Sequence, residues 1–194
     1  MARRVYFAFH YLDVIDFRAN VVRNHWVTKE HRDAAGFFDA SLWEDAQKHG
    51  SVAIKRLINS GLEGTSTTCV LIGSQTFNRP WVTYEIMKSF KRGNAIFAIH
   101  INSIIGKDKK TKPHGPNPFY YLGVTFSDSG LTATLHDKIE GQWIEYTGVD
   151  GSASYQTGRV ASKYWGKGFH LGNFFPTYDW VADDGYNNFA TWVE

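Results

Sequence analysis

Segments that read as buried strands alternate with helical segments through the first half of the chain, and this alternation restricts the fold more than any other feature. Residues 67–72 form a continuous apolar and β-branched run bounded by Gly64 and Gly73, which is typical of a strand covered on both faces. Residues 95–101 have the same character, and residues 5–9 begin the series. Strands that alternate with helices predict a parallel sheet with helices on both faces, an α/β fold.

The segments between these strands have the signals of helix boundaries. The first helix is indicated by apolar residues that recur at helical spacing over residues 14–26, and a short strand is expected at residues 36–38. A second helix is expected to end at Gly61, because glycine is common where helices terminate. A third is expected to open at Asn78, a capping residue that stands shortly before Pro80.

The second half of the chain has a different pattern. Residues 102–118 hold four lysines, three prolines and two glycines, and we expect an exposed loop there. Alternating polar and apolar residues over 122–126 and 131–135 flank a turn, which predicts an antiparallel hairpin. Residues 142–146 are expected to add a third strand.

Aromatic residues make up 16% of the chain and are dense in its second half. They could form a sugar-stacking surface or a core of large side chains, and the core is favoured because aromatic residues mostly bury their area. A last helix is predicted over residues 183–194, with Phe189 and Trp192 packed inward. We therefore expect all 194 residues to form a single domain, in which residues 1–101 are the α/β core half and residues 119–194 an integral C-terminal extension.

The composition argues against several classes of protein. The 21 basic and 19 acidic residues leave a net charge of +2, which gives no broad electrostatic footprint for nucleic acid. Cys69 is the single cysteine, so no intramolecular disulfide can form and a reducing, cytoplasmic location is expected. The sequence shows neither the apolar core of a signal peptide nor a run long enough to span a membrane. We expect a small ligand or a protein partner.

Polar and aromatic residues follow the predicted strands at their carboxyl ends. In an open parallel sheet, ligands bind at this edge because loops and helix N-termini converge there. His10 and Tyr11 follow the first strand, and Ser74 follows the strand 67–72. On the next helix, Trp81 and Glu85 are four residues apart and therefore share one face. The pattern predicts a flat aromatic wall beside a carboxylate.

A carboxylate beside an aromatic wall suits the cleavage of a glycosidic bond, because negative charge stabilises the cation that develops on the sugar. If the group that leaves is a positively charged nicotinamide ring, it departs as a neutral molecule and needs no general acid. Glu85 alone could then suffice for the cleavage. A Trp and a Glu one turn apart are more often a packing anchor and a solvated charge, and the spacing alone does not decide. Competing chemistry is weakly represented: the eight histidines show no metal-ligand spacing, and the glycine loops of dinucleotide-binding and ATP-binding motifs are absent.

The order of the elements and several motifs resemble the TIR domain. Trp81 and Glu85 match the tryptophan-x-x-x-glutamate motif of enzymatic TIR domains, and the glycine, serine and glutamine at residues 73–75 follow the predicted third strand as they do in that family. The sequence is most similar to the TIR-like proteins of the bacterial Thoeris anti-phage system, whose C-terminal part residues 118–124, 142–146 and 178–194 also resemble. The resemblance covers nearly the whole chain.

This resemblance implies a flavodoxin-like fold, NAD as the substrate rather than a cofactor, and release of nicotinamide. The product implied is a cyclic ADP-ribose isomer, a second messenger that activates a partner effector protein in anti-phage defence. Carried over by position, Glu85 is the catalytic residue. The residues expected to bind the substrate around it are Trp81, Ser74, Phe9, His10 and Tyr11.

Several alternatives stay open at this point. Attack by water instead of ring closure gives plain ADP-ribose. A non-catalytic TIR adaptor acts only through protein–protein assembly, and a flavodoxin-like nucleotide-binding module binds its ligand without turnover. The cyclic linkage, the activating trigger and a homo-oligomer formed on activation are also left open by the sequence.

Overall fold

The computed structural model describes residues 3–38 and 40–194. The helices are α1 (Tyr11–Ile15), α2 (Arg18–Val27), α3 (Ala40–Lys48), α4 (Ser51–Leu62), α5 (Pro80–Arg92) and α6 (Gly185–Val193). The strands are β1 (Arg3–Ala8), β2 (Arg32–Ala35), β3 (Thr67–Ile72), β4 (Ala95–His100), β5 (Leu122–Phe126), β6 (Thr132–Ile139), β7 (Gln142–Glu145), β8 (Ser154–Gln156), β9 (Gly168–His170) and β10 (Thr177–Asp179). None of the described helices is long and apolar enough to cross a membrane.

The strands form two sheets. The first has the order β10-β4-β3-β1-β2, and every pair in it is parallel. The second has the order β7-β6-β5-β9 with antiparallel pairs, and β8 also pairs with β6. The predicted α/β fold and the predicted hairpin, which is β5 and β6, are confirmed, and the segment before the hairpin has no helix or strand between His100 and Pro118.

Alternation along β1 explains how the parallel sheet is covered on both faces. Tyr6 and Ala8 point to one side and pack in the cluster that contains α4 and α5. Val5 and Phe7 point to the other side, into the cluster that contains α2 and α6. Both sets are fully buried, as expected for a central parallel strand whose side chains alternate between two covered faces.

The fifth strand of the parallel sheet comes from the far end of the chain. In β10, residues 177–179 pair in parallel with residues 98–100 of β4. Trp180 follows and is fully buried, and α6 then packs Phe189 into the core. Trp192 stacks on Tyr178 with 4.2 Å between ring centroids, so the predicted inward packing of the last helix is confirmed. A strand this short carries too little pattern to be recognised in the sequence.

The aromatic residues of the second half mostly form core. Phe126 lies within 6.4 Å of the Phe169 ring and of the Phe174 ring, on the inner face of the antiparallel sheet. This cluster belongs to the same buried core as α4 and α5. Trp143 is an exception, since 46% of its surface is exposed on the outer face. The core interpretation therefore holds for most of this segment.

Two predicted helix boundaries are wrong. The single helix expected over residues 14–26 is two helices, because Phe17 adopts a left-handed conformation (φ 66°) between α1 and α2 and is half exposed. Gly61 lies inside α4, which ends one residue later, and its missing side chain makes room for the Phe38 ring. The left-handed glycine after this helix is Gly64, with φ 71°.

The predicted position of the second strand and the predicted cap of α5 are also wrong. The second strand is β2, at residues 32–35 instead of 36–38, and its Arg-Asp-Ala-Ala sequence lacks the β-branched residues that mark buried strands because it forms a sheet edge. Asn78 ends a short 3₁₀ turn and does not cap α5. The N-cap position is occupied by Arg79, whose side chain makes no capping hydrogen bond.

Candidate active site

Helix α5 brings the tryptophan and the glutamate of the motif to one cavity. The helix opens with Pro80, whose missing N–H costs nothing in the first turn, and it stops at Gly93 in the left-handed conformation (φ 77°). Trp81 and Glu85 both line a cavity of about 300 Å³ at the carboxyl end of β1. The residues around this cavity are Phe9, His10, Tyr11, Gly36, Phe38, Trp43, Gln47, Arg79, Pro80, Trp81, Val82 and Glu85.

Glu85 is a buried carboxyl with one hydrogen bond from the protein. The residue is 6% exposed, and the hydroxyl of the fully buried Tyr6 donates a 2.7 Å hydrogen bond to Glu85 Oε1. Burial raises the pKa of Glu85 to about 8, and the bond from Tyr6 lowers it only in part. No lysine or arginine of the described residues forms an ion pair with it. A positive charge brought close to such a carboxyl would favour its ionised form.

Aromatic rings form the walls beside Glu85. Trp81 lies edge-on to Tyr84, with 6.3 Å between the ring centroids. Phe38 and Trp43 also line the cavity, and their rings are stacked with an interplanar angle of 12°. Trp81 is partly exposed toward the cavity, so a flat ring or a sugar face could pack on it.

The loop after β1 supplies the third side of the cavity. His10 caps α1, because its Nδ1 accepts a hydrogen bond from the Leu12 N–H at 3.3 Å. Burial first, and then the positive charge of Arg79, lower the pKa of His10. Phe9, His10 and Tyr11 thus lie together where the sequence placed them, at the end of the first strand.

Ser74 lies apart from these residues. Its hydroxyl donates a 2.9 Å hydrogen bond to the Pro113 carbonyl and accepts one from the Asn102 side chain at 3.1 Å. It is not among the residues that line the cavity. In this structure Ser74 fastens the 102–118 loop to the end of β3, and its assignment to the substrate stays a prediction.

A second buried acid, Asp13, joins the loops after β1 and β3. Burial raises its pKa to about 6, and the positive charges of Lys112 and Arg18 oppose this rise. Its carboxylate packs so closely on Gly73 that a Cβ there would lie 2.2 Å from Asp13 Oδ1. A side chain at position 73 would have to displace this carboxylate, so the glycine lets the two loops pack closely.

Sequence reasoning missed several residues of the site. Tyr6 could have been found, because it lies on the same face of β1 as Ala8, the face that α5 covers. Gly36 is required as glycine, since φ is 90° and a Cβ would lie 2.1 Å from the Phe7 carbonyl oxygen. Phe38 and Trp43 belong to a segment without clear periodicity, which gave no signal.

Comparisons with known proteins agree with this geometry. A family model described as "Thoeris protein ThsB, TIR-like domain" matches residues 6–104, which include Trp81 and Glu85. The chain is also 57% identical over 194 residues to a Bacillus cereus (strain MSX-D12) protein named "Putative cyclic ADP-D-ribose synthase ThsB1", with 100% of each chain covered. No group of three or more potential metal ligands occurs among residues 3–38 and 40–194. By its fold, its motif and these matches, the chain belongs to the Thoeris ThsB family of proteins with a TIR-like domain.

Proposed function

We propose that this chain cleaves NAD at the bond between nicotinamide and ribose and forms a cyclic ADP-ribose isomer, which activates a partner effector in anti-phage defence. The observation that carries the proposal is Glu85, a buried carboxyl without a cationic partner in the described structure, set in an aromatic-walled cavity. The name of the Bacillus cereus relative, a cyclic ADP-D-ribose synthase, supports the same reaction.

Glu85 stabilises the charge that appears when the glycosidic bond breaks. The electron pair of the bond between ribose C1′ and the ring nitrogen goes to nicotinamide, which leaves as a neutral molecule. Positive charge then develops on the ribose. A carboxylate in a site with little water interacts with this charge much more strongly than it would in bulk solvent.

The substrate itself favours the ionised form of Glu85. With a pKa of about 8, the Glu85 carboxyl is mostly protonated at neutral pH. The nicotinamide ring of NAD carries a positive charge, and an opposite charge nearby lowers the pKa of a carboxyl. Binding of NAD is therefore expected to lower the pKa of Glu85 and so convert it to a carboxylate.

The walls of the cavity favour ring closure over hydrolysis. Phe38, Trp43 and Trp81 line the cavity, and apolar rings packed around the ribosyl cation would leave little room for water. A nucleophilic atom of the same nucleotide then attacks C1′ and loses its proton, so the product contains no added water. Holding both reacting groups in one cavity makes this step effectively unimolecular.

The proposal is tested with Glu85→Gln, which removes the charge and keeps the side-chain shape. The purified variant is incubated with NAD, with and without an extract of phage-infected cells, and products are identified by mass spectrometry. Turnover is expected to fall by about a hundredfold or more. A cyclic product is lighter than ADP-ribose by one water, which separates the two outcomes.

Glu63→Gln is the matched control, because Glu63 is an exposed glutamate that follows α4 and does not line the cavity. It should retain the activity of the unchanged protein. If the Glu85→Gln variant is folded by circular dichroism and still supports defence, the adaptor interpretation replaces the catalytic one.

A further inference from the structure

Arg79 is the one lysine or arginine among the described residues that line the active-site cavity. It stands at the N-cap position of α5, directly before Pro80. Its guanidinium donates a hydrogen bond to the side-chain oxygen of Gln75, a neutral group. Its Nε is buried and has no hydrogen-bond partner. Part of the hydrogen-bonding capacity of Arg79 is therefore not used by other described residues.

The charge of Arg79 acts at the end of the cavity away from Glu85. It contributes to lowering the pKa of His10 on the cavity wall, and it opposes in part the rise that burial causes in the pKa of Asp13. The pKa of Glu85, in contrast, responds to burial and to the Tyr6 hydrogen bond alone. Arg79 and Glu85 are six residues apart on α5, which corresponds to about 9 Å along the helix axis. The cavity thus has a cationic end and a carboxyl end that do not neutralise each other.

This arrangement of charge matches the charge pattern of a dinucleotide. In NAD, one ribose separates the positive nicotinamide ring from the negative diphosphate. We propose that Arg79 forms a binding subsite for the diphosphate and so directs the nicotinamide ribose toward Glu85, an inference that rests on the function proposed above. Guanidinium groups suit this task because their N–H groups can bond two phosphate oxygens at once. Gln75 orients the guanidinium without adding a competing negative charge.

The test measures binding in the Glu85→Gln background, where NAD should not turn over. Calorimetry gives the affinity for NAD, and inorganic pyrophosphate is both titrated directly and used to displace NAD. Arg79→Gln should weaken both ligands by about tenfold or more, and Arg79→Lys should weaken them less because it keeps the charge. Arg92→Gln is the matched control, because Arg92 lies at the other end of α5 and its guanidinium bonds the Leu62 carbonyl.

The outcomes separate this inference from the proposed function. The parent protein in these measurements is Glu85→Gln. The Arg79 subsite is overturned if adding Arg79→Gln changes the NAD affinity of this parent by less than twofold. It is also overturned if the parent fails to bind pyrophosphate. A loss of NAD affinity with unchanged pyrophosphate binding also overturns it, because the loss would then arise elsewhere. If none of the proteins binds NAD, the proposed function fails, and the direct pyrophosphate titration still decides whether Arg79 binds a diphosphate.

Discussion

Tyr6 and Glu85 form a buried pair that joins strand β1 to helix α5: the Tyr6 hydroxyl donates to Glu85 Oε1 across 2.7 Å, and neither residue has an ionic partner in the described structure. The bond fixes the orientation of the carboxyl and favours its ionised form, because a donated hydrogen bond stabilises negative charge. Tyr6 is thus a positioning residue, and Glu85 is the group proposed to face the ribose.

Tyr6→Phe should reduce turnover at neutral pH by about tenfold, since the lost hydrogen bond raises the pKa of Glu85 further above its value of about 8. The ionised carboxyl is the active form, so the rising limb of the pH profile of kcat/KM should move to higher pH and activity should recover in part there. Tyr155→Phe, a change in the antiparallel sheet, serves as the control. Superimposable pH profiles for Tyr6→Phe and the unchanged protein would contradict the positioning role.

At alkaline pH, the Glu85→Gln variant should gain stability relative to the unchanged protein. The pKa of Glu85 is raised from 4.5 to about 8 on folding, so the folded state holds a proton across this interval that the unfolded state has lost. The free energy of unfolding therefore decreases as pH rises from about 4.5 to about 8, by a few kcal/mol at most, and a glutamine does not show this decrease. Denaturant unfolding of both proteins at about pH 5 and about pH 9 measures the effect, and a difference between them that does not vary with pH would count against it.

Trp81→Ala should strongly reduce turnover and only moderately reduce the free energy of unfolding. Trp81 lines the cavity and is only partly buried, so its removal takes away a wall of the site and a moderate packing area, with a cost of about 1–2 kcal/mol. Trp81→Phe keeps a flat ring and should retain more activity. A large fall in melting temperature for the alanine variant would show instead that Trp81 acts mainly as a core residue.

A fragment of residues 1–118 should fail to form a soluble, cooperatively melting domain. It lacks β10, which pairs with β4, and it lacks the buried side chains of Trp180 and Phe189. It also loses Val124, which packs in the same cluster as α5. Expression of this fragment, followed by a thermal melt, tests the prediction that the second half is an integral part of one domain. A cooperative transition would show that the first half folds alone.

The parallel core could be predicted because its strands carry a strong local signal. Residues 67–72 are apolar or β-branched at every position and are flanked by glycines, so both ends of β3 were located from the sequence. The edge strands β2 and β10 could not be found in this way. The side chains of β2 are charged or small, and β10 is only three residues long. The pairing with β1 and β4 that makes these segments strands is a long-range contact that no local pattern reports.

Some residues of the candidate site could be predicted from the sequence and others could not. That Trp81 and Glu85 share one cavity could be predicted from a motif on one helix, and the position of residues 9–11 beside them from the rule that ligands bind at strand ends. Tyr6 and Arg79 were missed for different reasons. Tyr6 is fully buried, and a buried aromatic residue in a strand is normally interpreted as core packing. Arg79 directly precedes Pro80, and this segment was interpreted only as the start of a helix.

The pairing of β4 with β10 also determines when this protein can finish folding. A ribosome makes β1, β2, β3 and β4 early, but the outer edge of β4 has no partner until residues 177–179 have been synthesised. In the meantime Ile96, Ala98 and Ile99, which are buried in the finished protein, belong to an open edge strand that other chains could join. The nascent chain is therefore expected to depend on chaperones during synthesis, and stop codons or tags that disturb β10 should cause aggregation rather than a shortened but active protein.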